Sequence, residues 1–310
     1  MKKIAGIGNM IVAGFFVCMT SVSVFLPSFT IAESIQDHLV HILFFLLISG
    51  ILGLVISNNT ILYSSFGCAA ALALFLKSAS NSELKNPLVN SEDKFILAHV
   101  NLSVITDENV VKQIFKDPEI DAVSFQEYTP DWAMIMPVLL DTSYIYSHQD
   151  VRMDLYGKAF FSRYPLNKGD SLFFDDIPNI DINIVKKNKV YRVFSVYLTP
   201  ALDKTTKAKA KAQFKILQEK IVRNTEHIIV SGELNQVYWS NDILSFRNKT
   251  GLLNSRRNVN PSTFKMPYDH IFYSSDMECY HFTELADSQG NHIGSKASFQ
   301  VKKLGIKRKS

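Results

Sequence analysis

The residues of this chain that could do chemistry stand at the ends of short apolar runs. His227 to Ser231 leads into Gly232-Glu233-Leu234-Asn235, and Tyr268-Asp269-His270-Ile271-Phe272 opens another run on an acid. His99-Val100-Asn101-Leu102 and Ser124-Phe125-Gln126-Glu127 end two more, and Gly290-Asn291-His292 adds an imidazole near the C-terminus. Acids and amides at strand ends aim into a shared site. A carboxylate can bind a hard divalent cation, and a positioned carboxylate or imidazole can move a proton. His270 reads as structural, because successive strand residues face opposite sides and it adjoins Asp269. His99 is two residues from Asn101 and shares its face.

Those groups need elements to hold them. Strands are predicted at Phe95 to Leu102, Ala122 to Glu127, Ala159 to Ser162, Ser171 to Phe174, Ile182 to Val185 and Val190 to Leu198. Lys186-Lys187-Asn188-Lys189 reads as a hairpin turn. Thr106 or Asp107 caps a helix to about Lys116, with Val110, Val111, Ile114 and Phe115 on one face. A second helix spans Lys204 to Arg223, with Phe214, Ile216, Leu217 and Ile221 as its apolar stripe. Further strands follow at His227, at Asp269 and at Ala297 to Val301, with a helix near Ser240 to Asn248. Pro130 to Asp150 and Asn167 to Asp181 read as loops. Strands in runs with helices between some of them predict an α/β sandwich rather than a regular βαβ array.

In order along the chain, these motifs resemble the endonuclease/exonuclease/phosphatase superfamily, the deoxyribonuclease I-like fold. The resemblance covers about Phe95 to Val301. It rests on Asn101 at a strand end, the Gln126-Glu127 pair, Tyr156 to Leu166 with its Ser162-Arg163-Tyr164-Pro165, and Val196-Tyr197-Leu198-Thr199-Pro200. Gly232-Glu233-Leu234-Asn235, Pro261-Ser262-Thr263-Phe264, Asp269-His270-Ile271-Phe272 and Gly290-Asn291-His292 complete it. The resemblance implies a four-layer α/β sandwich and hydrolysis of a phosphodiester or phosphomonoester with Mg²⁺ or Mn²⁺. Glu127 would be the metal ligand, helped by Asn101, which could also touch the phosphate. Asp269 would orient His292, and His292 would contact the phosphate or assist proton transfer. Asn235 would donate to a phosphate oxygen, Glu233 would position the water, and Tyr197, a further catalytic candidate, stands where many members carry a histidine and some a tyrosine.

Three residues depart from the family pattern. Glu233 replaces an aspartate and moves the carboxylate out by one methylene; a misplacement of ~1 Å can cost about a hundredfold in rate. Asn291 replaces an aspartate, removing a charge from any second metal position. Gly294 replaces a common proline, which is expected to loosen that loop. Two other readings stay open: a catalytically impaired binding module that kept the cleft, and a membrane assembly protein.

The N-terminal part has a different texture. No Asp, Glu, Lys or Arg occurs from Ile4 to Ala32 or from His38 to Leu76. A span needs ~20 apolar residues, so three transmembrane helices are predicted within residues 1–76, at about 10–32, 38–56 and 60–76, turning at Ser57-Asn58-Asn59. The resemblance is accordingly to a membrane-anchored, bacterial-type member. The first run, after Lys2 and Lys3, could instead be a cleaved signal ending near Ala32. Both readings put the catalytic part on the extracytoplasmic side of an inner or plasma membrane. Residues 77–93 read as a linker, 94–303 as the phosphoesterase-like domain and 304–310 as a basic tail. Cys18, Cys68 and Cys279 suggest no disulfide framework. The net charge of +4 does not by itself call for nucleic acid. The lysine-rich Lys204 to Arg223 helix and the tail can track phosphates or anionic lipid headgroups, so nucleic acid, a nucleotide and a lipid headgroup all remain open. Oligomeric state is not legible.

Overall fold

Runs of β-branched and aromatic residues build two sheets in the computed structural model, which describes residues 2–25, 35–81, 87–89, 93–168, 172–222, 227–257 and 268–302. With strands numbered in chain order, the first sheet contains β1 (Lys94–Asn101), β2 (Ala122–Gln126), β3 (Tyr146–Asp150), β4 (Lys158–Ser162), β12 (Met277–Ala286) and β13 (His292–Val301). Their order is β12-β13-β1-β2-β4-β3. The second contains β5 (Leu166–Lys168), β7 (Ile177–Lys186), β8 (Lys189–Tyr197), β9 (Ile228–Glu233), β10 (Leu253–Asn254) and β11 (Asp269–Tyr273), in the order β10-β11-β9-β8-β7-β5. A short β6 (Leu172–Phe174) pairs with β7.

Each sheet has one parallel pair, β1 with β2 and β8 with β9; the other pairings are antiparallel. A parallel pair needs a crossover. The helices Asn109–Lys116 and Lys204–Val222 supply the two crossovers. The strands of a parallel pair end side by side, so each sheet delivers two chain reversals to one edge.

The strands alternate with period two. Ile96, Ala98, Val100, Val123 and Phe125 pack against Val110, Val111, Ile114 and Phe115 of the first crossover helix. Phe95, Leu97, Ala122, Ile182, Val193, Ile229, Ile271, Ala297 and Phe299 face the slot between the sheets. Beyond the second sheet, Phe246 contacts Phe214 and Phe272, with ring centroids 5.3 and 6.2 Å apart.

The structure corrects several sequence expectations. Pro130–Leu139 is a helix, with Pro130 in its first turn and Pro137 inside; the two prolines made it read as loop. β12 and β3 were missed because both are edge strands whose side chains are largely outside the core. β13 begins at His292, not Ala297, so His292 opens a strand rather than sitting in a loop. Ile216 is 37% exposed, and Ala210 and Gln213 join the buried stripe instead. Lys187 and Asn188 both take positive φ, as a tight hairpin turn requires. Pro261-Ser262-Thr263-Phe264 and the 304–310 tail lie outside the described residues.

The chain divides into two compact units, Met1–Ser82 with Gln236–Ser245, and Glu83–Asn235 with Phe246–Ser310. The first unit carries three apolar helices, Lys2–Phe25, Leu39–Val55 and Asn59–Ala79. Phe16 meets Phe45 edge-on at 5.8 Å, and Asn58 caps the last helix by accepting from Ile61 N (3.2 Å). Trp239 donates to Gln36 O (2.6 Å) within the same unit. Two helices, Gly6–Phe25 and Asn59–Ala79, are long and apolar enough to cross a membrane; Leu39–Val55 is shorter. Seventeen residues rise about 26 Å, short of a ~30 Å hydrocarbon core. The first helix begins at Lys2 rather than Met10, and the last runs to Ala79, into the expected linker.

Candidate functional site

The same alternation that fills the slot with apolar side chains at one end fills it with polar ones at the other. Along β1 the slot-facing positions run Phe95, Leu97, His99, Asn101; along β2 they run Ala122, Ser124, Gln126. Along β8 they are Val193, Ser195, Tyr197, and along β9 Ile229, Ser231, Glu233. β11 enters at Asp269 opposite Glu233, and β13 sets Ser295 opposite His99. These six strands therefore present their polar residues at the same edge.

Side chains from the two sheets meet there. Asn101 Nδ2 donates to Glu127 Oε1 (3.0 Å) and to Glu233 Oε2 (3.2 Å). Gln126 Nε2 donates to the same Glu233 oxygen (3.0 Å), and its Oε1 accepts from Glu233 N (3.3 Å). One layer below, His99 Nδ1 is 3.2 Å from Ser124 Oγ, which is 2.7 Å from Ser195 Oγ. Burial holds the His99 pKa down to about 4, so it is a neutral member of that polar layer.

The second half of the site is a dyad. His292 Nε2 lies 2.8 Å from Asp269 Oδ1, and Ser295 Oγ donates to Asp269 Oδ2. Burial alone would raise the Asp269 pKa; the hydrogen bond and charge of His292, with Arg256 and Ser295, hold it well below the usual carboxylate range. Burial works against the imidazolium of His292, but Asp269 wins and raises its pKa. Behind them Arg256, 2% exposed, is 3.8 Å from Asp269, pairs with Glu284 and stacks on Phe282. Arg256 and Ser295 escaped sequence reading. Ser295 could have been found by counting alternate residues back from Phe299; Arg256 carries no local signal.

Backbone geometry aims the groups. Glu127 and Asn235 take φ of 58° and 53°, a left-handed conformation uncommon for residues other than glycine. Each turns the chain sharply just past a strand end. Gly232, at φ 145°, has no room for a side chain: a Cβ would lie 1.9 Å from Val196 O. Gly294 is equally tight, because a Cβ there would lie 2.0 Å from His99 O. The expectation that Gly294 loosens its surroundings is thus corrected, since it lets β13 press against β1. Asn291 is tied into a turn by donating to Asp287 from N (2.8 Å) and Nδ2 (2.9 Å).

Asn235 Nδ2 donates to Leu198 O (2.7 Å), and its side chain also hydrogen-bonds Tyr197. Tyr197 is 5% exposed, and burial pushes its hydroxyl up to about 12. His270 is buried and stacks on Phe272 at 5.3 Å, with Asp269 facing the slot. Asn101, Glu127, Tyr197, Glu233, Asn235, Asp269 and His292 thus gather at one edge of one slot.

The donor set suits a hard divalent cation. Burial, then the nearby charges of Glu127 and Asp269, push Glu233 up to about 7. Two carboxylates bridged only by an amide NH₂ form a negative cluster that a cation would relieve. Among the described residues no three His, Cys, Asp or Glu side chains form a ligand set. Mg²⁺ does not require one, since it takes one or two carboxylates and keeps its waters. Asn101 turns its nitrogen to the carboxylates, while its Oδ1 accepts from Ser103 N (2.9 Å) and Oγ (2.8 Å). Its expected role as an oxygen ligand would require the reversed amide.

Residues 100–292 match the Endonuclease/Exonuclease/phosphatase family. The chain belongs to that family. An endonuclease/exonuclease/phosphatase family protein from Bacteroides thetaiotaomicron is 15% identical, with a TM-score of 0.53 covering 67% of this chain and 95% of that one. The D. rerio TDP2 complexed with single strand DNA product is 12% identical (TM-score 0.53; 68% of this chain, 100% of that one). A mannosyl-6-phosphatase of B. thetaiotaomicron is 14% identical (TM-score 0.51; 67% and 100%). At such identities the likeness establishes the shared fold. No curated protein matches the sequence.

Proposed function

We propose that this member of the endonuclease/exonuclease/phosphatase family is a membrane-anchored phosphoesterase that uses Mg²⁺ or Mn²⁺. The observation that carries the reading is the joining of Glu127 and Glu233, from different sheets, through one Asn101 amide beside the Asp269–His292 dyad. Glu127 and Glu233 would hold the metal, which supplies charge neutralisation at the phosphoryl oxygens. Glu233 also orients the attacking water, its carboxylate fixed by Gln126. Asp269 holds the His292 ring and its proton, so His292 can donate to a phosphate oxygen or to the leaving group. Asn235, pinned by Leu198 O and Tyr197, donates to a phosphate oxygen, and Tyr197 closes that side of the pocket.

The substrate is a phosphodiester or phosphomonoester. One structural neighbour is complexed with a single strand DNA product and another is named a mannosyl-6-phosphatase, which supports a phosphate-ester substrate. Nucleic acid, a nucleotide and a lipid headgroup are the classes to test. The two long apolar helices, with Leu39–Val55 as a third, support anchoring in an inner or plasma membrane; three spans with Lys2 and Lys3 inside would put the catalytic unit on the extracytoplasmic side. A reporter fused at Ser310 tests that orientation.

The purified full-length protein in detergent should hydrolyse members of a phosphate-ester panel with Mg²⁺ or Mn²⁺ and not with chelator. Glu127→Ala and His292→Ala should each lower turnover at least about a hundredfold. Absence of turnover on every substrate with either metal would sink the reading. It would favour instead a binding module, a role suggested by Glu233, which two amides already hold.

A further inference from the structure

Away from the carboxylate cluster, one buried cation makes no ion pair among the described residues, with only the more distant carboxylates of Asp150 and Asp154 offsetting its charge. Lys158, on β4, is 1% exposed. Its Nζ donates to Pro178 O (2.8 Å) and, at longer range, to Tyr156 O (3.4 Å). An ammonium has three donors, so one N–H lacks an acceptor among the described residues. Asp150 stands opposite Lys158 in the β3–β4 register but makes no ion pair with it. Burial pulls the Lys158 pKa down to about 7. A buried charge left unpaired is costly, and such charges are ordinarily paired.

The ammonium opens onto a cavity of about 220 Å³, walled also by His148, Asp150, Leu172, Phe173 and Asn179. Sites that enclose a whole drug-sized ligand run to ~300–1,000 Å³. This one fits a single group of a larger molecule. Asp181, on the same wall, is neutralised by a two-pronged contact with Arg192 (2.9 and 2.7 Å). The cavity adjoins the site through Tyr197. Asn179 Oδ1 accepts from Tyr197 N (2.9 Å), and Lys158 Nζ lies 6.0 Å from the Tyr197 ring centroid.

We propose that this cavity is a second anion subsite, in which Lys158 is the counter-charge for a phosphoryl group of the substrate other than the one that is hydrolysed. The substrate would then be an ester carrying a second phosphate. The phosphoesterase reading supplies the bond that is cut, but the binding of the anion stands apart from it.

The test is calorimetric titration of the full-length protein in detergent with inorganic phosphate and pyrophosphate, in EDTA so that the carboxylate cluster repels the probe. Wild type should bind saturably. Lys158→Met, which keeps the stem and removes the charge, should weaken binding at least about tenfold, the size of one charge-assisted hydrogen bond. Asp150→Asn should tighten it several-fold, which keeps the proposal testable if Lys158→Met does not fold. No saturable binding by wild type, or equal binding by wild type and Lys158→Met, overturns the subsite. Binding with no turnover on any ester leaves the subsite standing and counts against the phosphoesterase reading alone.

Discussion

The floor and the mouth of the inter-sheet slot are made by the same strands and the same face, yet they do opposite things. At the floor Phe95, Leu97, Val193, Ile229, Ile271 and Phe299 are fully or almost fully buried and apolar. Further along those strands, at the mouth, stand Asn101, Tyr197, Glu233, Asp269 and Ser295. Between them lies the His99–Ser124–Ser195 layer, polar but uncharged. The apolar floor supplies cohesion, and it lets the mouth hold charges that disfavour one another. The raised Glu233 and the left-handed Glu127 are costs borne at the mouth. Strained and like-charged groups persist where surrounding structure over-determines them.

That division can be broken from either end. Phe299→Ala at the floor should cost about 3–5 kcal/mol of stability while leaving turnover per folded molecule near wild type. Denaturant unfolding beside an active-site titration measures both, and a selective loss of turnover would erase the distinction. At the mouth, Glu233→Asp withdraws the carboxylate from Asn101 and Gln126. Turnover should fall up to about a hundredfold with little change in unfolding midpoint. A gain in turnover would mean that the extra methylene is a defect and would favour the binding-module reading.

The smallest effect sharpens the comparison by pH. His292 has a raised folded pKa, so its contribution is complete below its unfolded value of 6.5 and is lost as pH rises through the folded value. Asp269 has a depressed one, so its contribution is complete above 3.8 and is lost as pH falls through the folded value. The pair therefore stabilises most between those two pH values. Wild type should exceed His292→Gln by about 2 kcal/mol there, and the gap should close toward alkaline pH. A gap that stays constant from pH 5 to pH 9 would remove the dyad from the stability of the mouth. Phe299→Ala should show no such dependence.

Much of the site was legible because strand periodicity is local. Asn101, Glu127, Glu233, Asn235 and Asp269 each stand at or just past a strand end that the residue pattern marks, whereas the strand that His292 opens was expected to begin only at Ala297. The helix at Pro130–Leu139 was not legible, since two prolines speak against a helix that tertiary packing of Met136 and Leu139 nonetheless holds. Arg256 and Lys158 were not legible either. Nothing in their neighbours along the chain says that a cation will be buried, because burial is decided by strands distant in sequence.

By itself the sequence determined the alternation, the long charge-free N-terminal runs and the kinds of group at each strand end, because these depend on residues a few positions apart. Only the tertiary structure decided which ends meet. Two parallel pairs on stacked sheets bring Glu127 and Glu233 to one amide, and the close approaches at Gly232 and Gly294 permit that contact. The same stacking closes over Lys158 and leaves its charge facing a cavity.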